Sequence, residues 1–143
     1  MSVGLGYRRA DLKAMAEAKL SDAILLLEND RFSNAYYLAG YSVEFALKAC
    51  ISRQILAETI PDRKWINDIY SHQFEKLIGL AGLSSALKDK QETDQVFAAN
   101  WLTVREWTEG SRYEMIDRYS CGLMIEAIRD EPNGVLTWLR QHW

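Results

Sequence analysis

The stretch AYYLAGYSVEFALKACI, residues 35–51, is the most apolar part of this 143-residue sequence. Thirteen of its seventeen residues are apolar or aromatic, yet Glu44 and Lys48 lie among them. On a helical wheel the apolar residues fall on several faces, which is typical of a helix that other helices surround. We therefore predict a central helix over residues 34–58, with Ser33 as its N-cap. Gly40 in its interior predicts a close helix crossing.

The polar residues of this helix form a stripe. Tyr37, Tyr41, Glu44 and Lys48 follow at helical spacing, within about 60° of one another around the axis. Glu44 precedes Lys48 by four residues, the favourable order for an ion pair along a helix. Three interpretations stay open: the stripe reaches solvent at the core's edge, it faces another subunit or helix and sets its register, or Glu44 or Lys48 acts on a ligand.

The rest of the sequence also predicts helices. No segment alternates apolar and polar residues for long enough to indicate a strand. We expect an all-α, up-and-down bundle of about five helices in a single domain over residues 1–143. The other helices are predicted over residues 11–29, from an N-cap at Ser71 to about residue 83, over 84–107 in one or two pieces, over 114–129, and for a turn or two after Pro132.

Composition excludes few classes of protein. The formal net charge of −3 gives no chain-wide nucleic-acid footprint, so RNA or DNA binding would need a local basic patch. We expect no membrane contact, since no segment is long and apolar enough to span a bilayer. Cys50 and Cys121 have no metal-type spacing, and buried thiols in a reducing cytoplasm are expected over a disulfide or redox switch. No phosphate-loop or metal motif is present, and we expect no cofactor and no metal.

A family resemblance rests on three pieces of the sequence: AYYLAGYSVEFALKACI, then SHQFEKLIGLAGL at residues 71–83, then REWTEGSRYE at residues 105–114. Together they resemble the HEPN family (higher eukaryotes and prokaryotes nucleotide-binding domain), from about residue 11 to residue 130. The resemblance implies a helical bundle that is commonly a homodimer. It also implies a prokaryotic toxin–antitoxin or defence setting, with a small nucleotidyltransferase as a partner.

Many members of that family carry an R-x4-6-H motif that cleaves RNA across the dimer. Neither histidine of this sequence follows an arginine at that spacing: residues 65–67 are Trp-Ile-Asn and residues 135–137 are Val-Leu-Thr. Arg105 matches the arginine of the motif, but the histidine position then falls on Gly110, Ser111 or Arg112. None of these suits acid–base work at neutral pH, which argues against ribonuclease activity.

Other residues are candidates for binding. His72 follows the predicted cap at Ser71. We expect it to be a partly exposed histidine in the first turn of a helix rather than a catalytic group. Arg112 and Tyr113 could hold a phosphate and stack on a base, or pack at a helix start. Among the five tryptophans, Trp101 and Trp138 are expected in the core, while Trp65, Trp107 and Trp143 are candidates for an exposed patch or a subunit interface.

Three hypotheses of function follow. The first is a non-catalytic binding and assembly module that homodimerises and engages a nucleotide, RNA or a partner nucleotidyltransferase. The second is an atypical metal-independent endoribonuclease that uses Arg105, Arg112, Tyr113 and His72. The third is a purely structural dimer. The candidate ligand-binding or interface residues are Tyr37, Tyr41, Glu44, Lys48, His72, Arg105, Arg112 and Tyr113.

Overall fold

The computed structural model describes residues 6–143, and over that range it contains helices and no strand. The predicted all-α bundle is confirmed. Five of the helices have ten or more residues and three are shorter. In chain order they are α1 (Arg9–Glu28), α2 (Phe32–Ser52), α3 (Arg63–Ile69), α4 (Phe74–Leu80), α5 (Ser84–Thr93), α6 (Gln95–Arg105), a 3₁₀ turn (Glu109–Tyr113), α7 (Arg118–Arg129) and α8 (Val135–Leu139).

Helix α2 lies at the centre of the bundle, as its apolar pattern predicts. It packs most extensively on α1, and it also contacts α4, α7, α8 and the 3₁₀ turn. Eleven of its 21 residues are buried, including Ser42 and Glu44. Ser42 donates its hydroxyl to the carbonyl of Ala16 on α1 at 2.9 Å, so its burial leaves no unpaired hydroxyl. Within the described range, none of the helices is long and apolar enough to cross a membrane.

Both predicted ends of α2 are wrong. The helix begins at Phe32, so Ser33 lies inside it rather than at its cap. The Ser33 hydroxyl instead accepts the backbone N–H of Ile116 at 2.9 Å, which ties the segment before α7 to α2. The helix ends at Ser52 and not at residue 58. Residues 53–60 are exposed, so a longer helix would gain no tertiary burial to offset its entropy cost.

The interior glycine of α2 makes room for a side chain and not for a helix crossing. A Cβ at Gly40 would overlap atoms of the Trp107 indole, which packs against this point of the helix. Trp107 is only 2% exposed, so its predicted place in an exposed patch is wrong. Trp101 and Trp138 are buried as predicted, and Trp65 and Trp143 are half-buried.

The two thiols are buried and free, as expected. Burial raises the pKa of Cys50 to about 12 and that of Cys121 to about 11. Both thiols are therefore protonated at neutral pH and poor nucleophiles.

Three further helix starts differ from the prediction. Helix α1 begins at Arg9 and not at residue 11. Helix α4 begins at Phe74 after Gln73, and Ser71 is not its cap; the Ser71 hydroxyl accepts the Gln73 N–H at 3.1 Å in a local turn. Helix α7 begins at Arg118 and not at residue 114, because the Asp117 carboxylate caps it by accepting the Ser120 N–H at 2.7 Å.

Candidate functional site

The charged pair of α2 is formed and largely buried. Lys48 Nζ lies 3.2 Å from Glu44 Oε2, with side-chain exposures of 15% and 3%. The second oxygen of the same carboxylate, Glu44 Oε1, lies 2.7 Å from His72 Nδ1. Each oxygen of the Glu44 carboxylate therefore contacts a different nitrogen group, and these two contacts offset the cost of burying its charge.

His72 is brought to this carboxylate by the turn between α3 and α4. Since α4 starts at Phe74, the prediction that His72 belongs to a helix's first turn is wrong, whereas its partial exposure, 35%, is confirmed. Its other ring nitrogen, Nε2, lies 3.1 Å from Glu109 Oε2 in the 3₁₀ turn. Four side chains of alternating type thus form one polar chain: Lys48, Glu44, His72 and Glu109.

Hydrogen-bond chemistry limits what His72 can do in this arrangement. A neutral imidazole has one donor nitrogen and one acceptor nitrogen, whereas an imidazolium donates from both. With a carboxylate against each nitrogen, only the imidazolium can donate to both Glu44 and Glu109. In that state two cations, Lys48 and His72, face two carboxylates, and His72 has no free lone pair with which to accept a proton.

The two tyrosines of the stripe pack beside this chain. The Tyr37 hydroxyl donates to the Tyr41 hydroxyl at 3.4 Å, and their rings meet edge to face at 5.1 Å. Tyr41 also lies edge-on to Trp107 at 5.2 Å, and Trp107 stacks on Phe74 at 5.2 Å with 6° between the ring planes. Burial, followed by the contact with Tyr37, raises the pKa of Tyr41, so its phenol stays protonated at neutral pH.

The polar stripe of α2 faces other parts of the same chain. It is covered by two segments of the same chain, the turn at residues 71–73 and the segment at residues 105–113. The interpretation that the charged pair reaches solvent at the edge of the core is wrong for Glu44, which is 2% exposed. Packing against another part of the bundle is the interpretation that the contacts support.

A cleft of about 540 Å³ opens on the outer side of the polar chain. Its walls are residues 71–75 on one side and residues 105–109 on the other. Arg105 lines it and lies 3.7 Å from Glu75 through a guanidinium nitrogen and a carboxylate oxygen. Since Glu106 and Glu109 also line it, the cleft has more acidic than basic side chains.

The eight predicted residues are only partly brought together. Tyr37, Tyr41, Glu44, Lys48 and His72 form one connected cluster, and Arg105 shares the cleft with His72. Arg112 lies in the same 3₁₀ turn as Glu109, and hydrogen bonding to the hydroxyls of Tyr113 and Tyr37 raises the pKa of its guanidinium. The Arg112 guanidinium lies 4.8 Å from the centre of the Tyr113 ring, which is 80% exposed and lies outside the cleft.

Sequence reasoning missed two members of this site. Glu109 carries no recognisable pattern, because its partner is distant along the chain. Trp107 had an indirect signal in Gly40, which lies on the same face of α2 as Tyr37 and Glu44 and is where a bulky neighbour would need space. In the part of the chain that the structure covers, no group of three or more His, Cys, Asp or Glu side chains could hold a metal ion.

The fold and site together define an α-helical bundle whose central helix holds a buried, ion-paired carboxylate. A model of the HEPN domain matches residues 10–89, more than half of the chain, and the chain belongs to this family. The match includes Glu44, Lys48 and His72 but ends before Arg105 and Glu109, so only one wall of the cleft lies inside it. No curated protein and no solved structure matches the chain. Family membership supports a nucleotide- or RNA-related module in general terms.

Proposed function

We propose that the protein is a non-catalytic binding and assembly module, which homodimerises and engages a nucleotide, RNA or a partner nucleotidyltransferase. The observation that carries the non-catalytic part is the position of the His72 ring between two carboxylates. Both of its ring nitrogens lie against carboxylates, at 2.7 Å from Glu44 and 3.1 Å from Glu109. A general base needs a free nitrogen directed at the substrate, and the R-x4-6-H spacing is absent from the sequence.

The setting that we propose is a prokaryotic toxin–antitoxin or defence system in the cytoplasm. Family membership supports this setting, and the buried free thiols of Cys50 and Cys121 suit a reducing compartment.

The test has three measurements. Analytical ultracentrifugation at tens of micromolar should give a dimer, and a monomer would remove the assembly part. Single-stranded RNA incubated with concentrated protein should stay intact. Nucleotides, RNA oligomers and a co-expressed nucleotidyltransferase are then compared as ligands, and a melting temperature that none of them raises would favour a purely structural dimer.

An endoribonuclease remains the second candidate, because of one feature of the site. A buried carboxylate, Glu44, orients one nitrogen of a histidine whose other nitrogen faces a cleft, which is how hydrolases orient a base. In this case substrate would displace Glu109, and Arg105 would contact the phosphate. Cleavage of RNA by wild type and its loss in Arg105→Ala, with an unchanged fold by circular dichroism, would favour the enzyme over the binding module.

A further inference from the structure

Both basic side chains that line the cleft are already held by carboxylates of the same chain. His72 Nε2 lies 3.1 Å from Glu109 Oε2, and Arg105 lies 3.7 Å from Glu75 Oε1. These two carboxylates differ from Glu44 in burial: their side chains are 46% and 72% exposed, against 3% for Glu44. Glu109 and Glu75 can therefore turn into water at little cost, whereas Glu44 cannot leave His72 without stranding a buried charge.

We propose that the cleft is a self-occluded anion site, in which Glu109 and Glu75 occupy the places that a phosphate group would take on His72 and Arg105. The inference rests on the part of the proposed function in which the protein binds a nucleotide, and it assigns that binding to the cleft. Its ligand is a small phosphate-bearing molecule, because the His72 and Arg105 nitrogens that now meet carboxylate oxygens can meet phosphate oxygens in the same way. The volume of about 540 Å³ suits a small molecule.

The aromatic residues of the cleft constrain the rest of the ligand. Phe74 and Trp107 line it, but they are 4% and 2% exposed and stack on each other. Neither ring offers a free face to a nucleobase, so the recognition falls on the phosphate. We therefore expect inorganic phosphate and adenosine 5′-monophosphate to bind, and adenosine not to bind.

The cleft supplies its own matched control. Glu106 lines the same cleft as Glu109, and within residues 6–143 it forms no ion pair with His72 or Arg105. Glu109→Gln and Glu106→Gln remove the same charge from the same cleft, but only the first frees a phosphate-binding donor. A carboxylate that acts only through its field is screened by salt, so Glu106→Gln should change affinity by less than about twofold in 0.15 M salt.

The experiment is calorimetric titration of the full chain with phosphate, adenosine 5′-monophosphate and adenosine. Glu109→Gln should tighten binding of both phosphate-bearing probes about fivefold over wild type, the scale of one exposed ion pair. Arg105→Gln in the Glu109→Gln background should cancel this gain. Equal affinity for the two probes would mean that phosphate alone is recognised, and a preference for the nucleotide would mean that its sugar or base adds contacts; either result supports the site.

Several results would overturn the inference. Equal gains in Glu109→Gln and Glu106→Gln would mean a general charge effect, and adenosine binding as well as its phosphate ester would mean that no anion is recognised. If a short lysine-rich peptide bound to the wild type and Glu109→Gln weakened that binding, the cleft would be a site for cations and not for anions. If wild type dimerises and binds RNA while these variants behave alike, the inference fails and the proposed function survives. If Glu109→Gln gains affinity for phosphate in a monomeric protein, the assembly proposal fails alone.

Discussion

The coupling between Glu44 and Lys48 can be measured by a double-mutant cycle. The single changes are Glu44→Gln and Lys48→Met, which keep side-chain volume while removing one charge each. Removing one partner of a buried ion pair costs about 3–5 kcal/mol. The Lys48 side chain is the more exposed partner, at 15%, and when Lys48 is replaced Glu44 still keeps its contact with His72. We therefore expect Lys48→Met to cost only about 1–2 kcal/mol, less than Lys48→Ala, because its aliphatic part still packs.

Glu44→Gln should be the more damaging single change. Its amide can still accept a hydrogen bond from His72, but its NH₂ group then faces the Lys48 ammonium, and two donors oppose each other in a buried site. We expect about 2–4 kcal/mol of destabilisation. In the double variant this conflict disappears, so the combined loss should fall short of the sum by about 1–3 kcal/mol.

The assay is urea unfolding at pH 7, followed by circular dichroism and analysed with a common m-value. Lys64 and Asp68 provide the control cycle: they are also four residues apart and lie 2.8 Å from each other, but the lysine side chain is 83% exposed. The control cycle should show no resolvable coupling. If the changes at Glu44 and Lys48 were additive within about 0.5 kcal/mol, the two groups would not interact and the buried polar chain would lose its basis.

Three further predictions use the same unfolding assay or a simple label. Gly40→Ala should destabilise the protein by about 1–3 kcal/mol, because the added methyl group meets the Trp107 indole. Gly122→Ala, in open space on α7, should be neutral or stabilising. Equal effects of the two changes would contradict the close contact at Gly40. Cys50 and Cys121 should not react with a thiol reagent at pH 8 until the protein is unfolded, and rapid native labelling would contradict their burial. The Asp94 carboxylate accepts a hydrogen bond from the Phe97 N–H of α6, and this contact is the first cause that holds the pKa of Asp94 below its ordinary value of 3.8. Its contribution to stability is therefore present above that pH and is lost as the pH falls below it. Asp94→Ala should make the free energy of unfolding fall less steeply at acid pH, and an unchanged slope would refute this.

Much of the scaffold could be predicted from local pattern. The apolar residues of α2 fall on several faces, and this alone predicts a helix inside a bundle. The order and spacing of Glu44 and Lys48 likewise predict an ion pair, and the structure contains it at 3.2 Å. These inferences succeed because a helix fixes the relation between residues three and four apart, whatever surrounds it.

Helix ends were predicted less well. Ser33 and Ser71 are both residues that cap helices, but their hydroxyls accept other backbone N–H groups in the fold. Helix α2 stops at Ser52, ahead of the proline at residue 61, since the segment between them finds nothing to pack on. Such ends depend on which tertiary contacts are available, and propensity only biases them.

The sequence by itself determined an all-helical chain, its central helix and a stripe of two tyrosines, an acid and a base along one side of that helix. Only the tertiary structure decided what covers the stripe: the Trp107 indole over Gly40, His72 on Glu44, and Glu109 on His72. Glu44 and His72 are 28 residues apart along the chain. No periodic pattern relates positions so distant, because their contact depends on how loops close over the packed bundle and not on the geometry of one helix.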